Sequence, residues 1–127
     1  MATNALPQPR SEKKLMNIAL WALQILVAAF LVMAGLPKLQ GDPIMVQTFG
    51  AIGLGQWFRY LTGGLEVGGS IALLIPGIAG YAALLLAAVM AGAVLTHLFI
   101  LGGSPLVAAL LLAATLAIAW ARLRKRI

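Results

Sequence analysis

The sequence predicts an all-α protein, a membrane-embedded bundle of four antiparallel helices with both termini in the cytoplasm. Three observations carry this. Of the 127 residues 62% are hydrophobic and 9% charged, and the mean hydropathy is +1.01, more apolar surface than a soluble domain of this size can cover. The apolar residues fall into long runs interrupted at Pro37, Pro76-Gly77 and Gly102-Gly103. Seven of the nine basic residues flank the runs: Arg10, Lys13 and Lys14 before the first, Arg122, Arg124, Lys125 and Arg126 after the last. Two basic ends are satisfied together in the cytoplasm only by an even number of crossings.

The elements follow in order. Residues 1–14 (MATNALPQPRSEKK) are polar and Pro-containing and read as a flexible cytoplasmic tail; 15–127 form a single membrane domain. The run 15–36 is the first span. It is too long for the apolar region of a signal peptide and lacks a convincing A-x-A site after it, so it is expected to stay as an anchor. Pro37 ends or sharply kinks it. Residues 38–56 read as a compact loop whose short apolar stretch, IMVQTF, lies at the interface or re-enters. The second span covers 57–75 and stops at Pro76-Gly77; the third covers 78–101 and stops at Gly102-Gly103. Ser104 is a candidate N-cap with Pro105 at the first helical position of the fourth span, 105–121. Trp57, Phe58, Tyr60 and Phe99 then fall near the outer interface, Tyr81 and Trp120 near the inner one.

Several classes of chemistry are excluded or disfavoured. The formal charge of +6 reflects topology at the lipid headgroups and not a nucleic-acid surface. With no cysteine the chain forms no disulfide, thiol redox pair or iron–sulfur cluster of its own. One His with Glu12 in the tail and Asp42 in a loop makes no metal site, and no nucleophile–base pair, phosphate loop or dinucleotide fingerprint is present. Gly64-x-x-x-Gly68, Gly35 and Gly92 permit close helix contact.

The polar residues inside the spans carry the functional argument. Glu66 sits in an apolar stretch, and no further Asp, Glu, Lys or Arg follows until Arg122. A charge at mid-bilayer costs roughly 2.5–3.5 kcal/mol even on the lenient insertion scale, so a carboxyl there points to use of its proton or charge. Arg59, Thr62, Gly63, Glu66 and Ser70 share one stripe of the second helix, which should face the bundle interior. Arg59 lies about 10 Å along the axis from Glu66, so a water or another side chain is expected to connect them. On the first helix Asn17, Gln24, Leu31 and Lys38 recur every seven residues and share a face, and Thr96 and His97 lie near the outer end of the third. Lys38, Arg59, Glu66 and His97 are therefore expected to line one cavity open to the outside. Each also has a plainer reading: Lys38 and Arg59 as interface anchors, His97 bonded to a backbone carbonyl or Thr, and Gln24 and Asn17 bonded between helices.

The segments A34-G35-L36-P37-K38-L39, L65-E66-V67-G68-G69, L73-L74-I75-P76-G77 and M90-A91-G92-A93-V94-L95-T96-H97, in this order and spacing, resemble the DoxX-like family of small four-helix membrane proteins, over nearly all of 15–121. The resemblance implies a multi-pass protein of the bacterial inner membrane and, for some members, a link to quinone-coupled oxidoreduction; other relatives act in folding or trafficking of membrane proteins. Lys38 and Glu66 match the family's recurring charged positions and His97 the polar end of helix three. The leading expectation is a quinone-associated oxidoreductase or a membrane subunit of one. Glu66 and His97 are the catalytic candidates, and Lys38, Arg59 and Gln24 contact the substrate. No cofactor is covalently bound; a quinone is the expected one. No residue of the chain holds electrons, so the substrate reduces the quinone directly or a redox partner protein supplies them. Alternatives are a small proton-coupled transporter, working as a homo-oligomer, and a non-catalytic assembly protein in which the glycine faces matter more than Glu66.

Overall fold

The computed structural model describes residues 9–124, with side chains from 12 onward. Residues 1–8 of the expected tail, and Lys125 and Arg126 of the basic C-terminal cluster, lie outside the described residues. Among the described residues there are five α-helices and no strand: α1 (Pro9–Gln40), α2 (Pro43–Ile52), α3 (Gln56–Leu73), α4 (Ala79–Thr96) and α5 (Leu106–Arg124). A π-helical turn, His97–Leu101, continues α4.

Three of these are long and apolar enough to cross a membrane: Glu12–Gln40, Ala79–Leu101 and Leu106–Arg124. The expected fourth, α3, has the length but not the composition, because Gln56, Arg59, Glu66, Ser70 and four glycines dilute its apolar content. It packs between α1 and α4, and α5 closes the ring against α4 and α1. The ring surrounds a core of Val27, Ala28 and Leu31 from α1, Leu73 from α3, Ala82, Ala83, Leu86 and Met90 from α4, and Ile118 and Ala119 from α5. Outside it Ile25, Leu26, Met33, Leu110 and Leu116 are exposed, the arrangement of a bundle whose solvent is lipid. Lipid tails are as apolar as leucine, so close packing and not apolar burial must hold such helices together. Small residues permit it: a Cβ on Gly69 would lie 2.7 Å from Leu86 Cδ2 of α4, and one on Gly80 would lie 2.8 Å from Leu123 Cδ2 of α5.

Three local expectations need correction. Pro37 does not end the first helix; it lies inside α1, which runs on to Gln40. So near the C-terminus it costs only the hydrogen bond of its own missing N–H, and Lys38 stays on the helix. Residues 38–56 are not a loop, because 43–52 form α2. Asp42 is its N-cap, its Oδ1 accepting from Ile44 N–H at 2.9 Å, Pro43 opens it, and Gly53 closes it at φ 87°, a left-handed cap that a residue with a Cβ would strain. The helix also begins within the expected tail, since 9–14 already belong to α1. At about 1.5 Å per residue, the 32 residues of α1 exceed the roughly 30 Å hydrocarbon core.

Two of the expected breaks coincide with turns, and Ser104 caps as expected. The turn after α3 spans Pro76-Gly77, the segment ending at Leu101 is followed by Gly102 and Gly103 at φ 73° and 71°, and Ser104 Oγ accepts from Leu106 N–H at 3.2 Å. The bundle therefore has two distinct ends. One, the α2 end, gathers α2, the C-terminus of α1 and the π-helical turn; the other, the terminal end, gathers Asn17, the α3–α4 turn and Arg122.

Candidate functional site

At the α2 end the site begins with two glycines. A Cβ on Gly35 would come within 2.9 Å of Val67 Cγ2 and 3.1 Å of Gly63 O, and one on Gly63 within 2.9 Å of Lys38 Cβ and 3.0 Å of Gly35 O. Backbone thus meets backbone where α1 crosses α3, and no residue larger than glycine fits either position without displacing a helix. This approach brings Lys38, on the last turn of α1, onto Glu66. Their Nζ and Oε1 lie 2.8 Å apart, with side-chain exposures of 15% and 4%. The ammonium also donates to Ala34 O at 3.0 Å. At that distance the ammonium and Oε1 share a charge-assisted hydrogen bond, which uses one of the carboxylate's lone pairs and leaves the group further acceptor capacity.

Arg59 is buried but makes no ion pair with Glu66. Its Nη1 donates to the backbone carbonyl of Lys38, its Nε donates to Gln56 Oε1 at 2.7 Å, and its guanidinium lies 4.2 Å from the centroid of the Tyr60 ring. The side chain expected to connect Arg59 with Glu66 is Lys38 itself, held by Arg59 through its carbonyl while its ammonium meets the acid. The rest of the α3 stripe is interior as well: Gly63 and Ser70 are buried, and Thr62 is half-buried.

Beside the ion pair lies a cavity of about 810 Å³ between α3 and α4, covered by α2. Phe49 and Met45 of α2, Phe58 and Leu65 of α3, and Leu85 and Val89 of α4 supply apolar walls. Phe49 and Phe58 stack obliquely with centroids 5.9 Å apart, and Gln56 Nε2 donates to Val46 O at 3.1 Å, which together seat α2 on α3. Lys38, Glu66 and His97 all line this space, so three of the four residues expected to share a cavity do. Arg59 is behind it. Gly92 also lines it, and a Cβ there would meet nothing within 4 Å. His97 Nδ1 is 3.1 Å from Gly102 O; a carbonyl can only accept, so Nδ1 carries the proton and Nε2 is left for other partners.

Gln24 is elsewhere. It is fully buried at the terminal end, where its Nε2 donates to Leu73 O at 2.8 Å and its Oε1 accepts from Arg122 Nε at 2.7 Å. Arg122 Nη1 donates to Asn17 Oδ1 at 2.7 Å, and its guanidinium stands 5.3 Å from the centroid of the Trp21 ring. This network ties α1, the end of α3 and α5 together, and none of its residues lines the cavity beside Glu66.

Residues 22–122 match the model of the DoxX-like family. The chain belongs to the DoxX-like family. No curated protein and no solved structure matches it. In this DoxX-like chain the matched segment contains α2, α3, α4 and every cavity-lining residue, so ion pair and cavity both lie within the family's span. Sequence reasoning missed the contribution of α2 and its Thr48; Thr62 and Thr96, placed by the sequence on the interior stripe of the second helix and beside His97, line the cavity as well. The Asp42-Pro43 pair, a cap followed by a proline at the first helical position, was the signal for α2.

Proposed function

We propose that this DoxX-like protein is the quinone-binding membrane component of an oxidoreductase, with the cavity as its ligand site. The observation that carries the reading is an ion-paired carboxyl, Glu66, lining an apolar space of about 810 Å³. That volume lies within the roughly 300–1,000 Å³ of small-molecule pockets, and its combination of apolar walls with a few polar groups suits a lipid-soluble ring carrying oxygens. A quinone, when bound, supplies reversible uptake of two electrons and two protons. Lys38 then hydrogen-bonds a ring oxygen, Glu66 exchanges a proton at its carboxyl oxygens, and His97 Nε2 accepts from a ring hydroxyl. Arg59 and the Gly35–Gly63 contact act on the site through Lys38, as positioning elements. Electrons come from a reduced substrate or a redox partner protein, since no side chain of the chain carries them.

The same reading orients the protein. Arg122 and Arg124 put the terminal end in the cytoplasm of a bacterial inner membrane, with α3 as the fourth crossing and α2 at the outer face. A second reading, helix-to-helix assembly, is favoured by Gly64 and Gly68, which are exposed on α3 with nothing within 4 Å.

Titration of the detergent-solubilised protein with a short-chain ubiquinone tests the main reading. Saturable binding is expected, and when dithionite is added to reduce the bound quinone the Glu66→Gln variant, which should still bind, is expected to take up the accompanying protons more slowly than the wild type. No saturable binding to the wild-type protein, in either redox form of the probe, would overturn it.

A further inference from the structure

The polar groups of the cavity are unequal in kind. Thr48, Thr62 and Thr96 each line it, and each spends its hydroxyl proton on the carbonyl one turn earlier: Thr48 Oγ1 donates to Ile44 O, Thr62 Oγ1 to Phe58 O and Thr96 Oγ1 to Gly92 O, all at 2.8 Å. What a threonine in that arrangement still presents is an oxygen lone pair. His97 spends its Nδ1 proton on Gly102 O, so the tautomer this bond selects presents its lone pair at Nε2. Glu66 is a carboxylate that takes one N–H of Lys38 on Oε1 and keeps lone pairs beyond it. Only Lys38 donates, and of its three N–H groups one goes to Ala34 O and one faces Glu66. Among the lining side chains the inventory is five acceptors against one remaining donor.

A ligand complementary to this set must bring protons of its own. A quinone has two carbonyl oxygens and no donor; its hydroquinone has the same ring with two hydroxyl donors. We infer that the cavity is built for the hydroxyl-bearing, reduced form and binds a hydroquinone in preference to the matching quinone. The inference rests on the reading of the cavity as a quinone site and adds which redox form it selects. The source of the selectivity is asymmetry: a carbonyl facing a threonine or imidazole lone pair leaves both acceptors without a proton between them, whereas a hydroxyl there makes a hydrogen bond, and one to Glu66 is charge-assisted. One such bond kept in one form and lost in the other corresponds to about a tenfold difference in affinity. Tighter binding of the reduced form raises the midpoint potential of the bound couple, and for a two-electron couple tenfold is about 30 mV. Product retention in a quinone-reducing complex, or capture of substrate in a quinol-oxidising one, follows from the same preference.

The experiment compares three ligands of one shape on the full chain in detergent under anaerobic conditions: a short-chain ubiquinol, the matching ubiquinone, and the ubiquinol with both hydroxyls methylated. The expected result is that the quinol binds about tenfold tighter than the quinone or more, and that the methylated ligand binds no tighter than the quinone. Replacing Thr62 and Thr96 by valine, which keeps their shape and removes the lone pairs, should narrow the preference for quinol over quinone. Equal or tighter binding of the quinone, or a methylated ligand as tight as the quinol, would overturn the inference and leave the quinone site standing. Failure of all three to bind would overturn the site and the inference together.

Discussion

The two ends of the bundle bury polar side chains to opposite effect. At the terminal end the amides of Asn17 and Gln24, the guanidinium of Arg122 and the carbonyl of Leu73 bond one another at 2.7–2.8 Å, while the buried Nη2 of Arg122 is left without a hydrogen bond. At the α2 end an acid and an ammonium sit together at 2.8 Å, the acid keeps an unused acceptor, and a cavity opens beside them. Both arrangements are expensive in lipid, where buried polar groups rarely go unpaired. What separates the two ends is therefore neither the burial of polar residues nor leftover hydrogen-bonding capacity, which each end has, but a titratable ion pair that faces a space of ligand size. The α2 end is left open toward a space of ligand size.

The largest effect should come from breaking the open end. Lys38→Met leaves Glu66 buried without its partner, and removal of one member of a buried pair costs about 3–5 kcal/mol. Thermal unfolding in detergent should register that loss and quinone binding should disappear with it. The double variant Lys38→Met/Glu66→Gln should recover most of the stability but not the binding. Smaller, and at the other end, Gln24→Leu leaves Arg122 Nε and Leu73 O without partners, at about 1–3 kcal/mol. Ligand affinity there should be unchanged, which is the sharpest contrast between the ends; a loss of affinity equal to that of Lys38→Met would erase the distinction.

How much of this was legible in the sequence varies with range. Composition and charge placement gave an all-α membrane protein, and the 3.6-residue period put Arg59, Gly63, Glu66 and Ser70 on the interior side of one helix. The heptad through Asn17, Gln24, Leu31 and Lys38 gave a common face but was read without its depth. Gln24 and Lys38 are fourteen residues apart, about 21 Å along an α-helix, and so serve opposite ends. Lys38 meets Glu66 because two glycines on different helices touch, a pairing across the bundle that no local pattern encodes. The glycines that looked most like a packing motif, Gly64 and Gly68, are those that touch nothing within the chain, whereas Gly63 and Gly69, one position along, carry the contacts. Gly63 and Gly69 are six residues apart and meet different helices, α1 and α4, so neither the spacing nor the phase of the i, i+4 pair matched; such a pattern cannot say which face of the helix its neighbours occupy.

Two milder substitutions refine the comparison. Gly92→Leu puts a side chain into the cavity where a Cβ meets nothing within 4 Å, so stability should hold to within about 1 kcal/mol while affinity falls at least about tenfold. Gly64→Ala, on the outer surface of α3, should leave binding intact and shift stability by no more than about 1 kcal/mol, in the stabilising direction if no partner covers that face. A marked drop in apparent molecular mass on size-exclusion chromatography of Gly64→Ala would instead show that the face is used in assembly.

The central claim is that the ligand sits between α3 and α4 beside the Lys38–Glu66 pair. Photolabelling of the membrane-embedded protein with an azido-substituted quinone, followed by peptide mapping, tests it most directly. Label confined to peptides covering 45–66 and 85–103, and suppressed by excess unlabelled quinol, is the predicted outcome. Label spread over lipid-facing positions such as Ile25 and Met33, without competition, would contradict it.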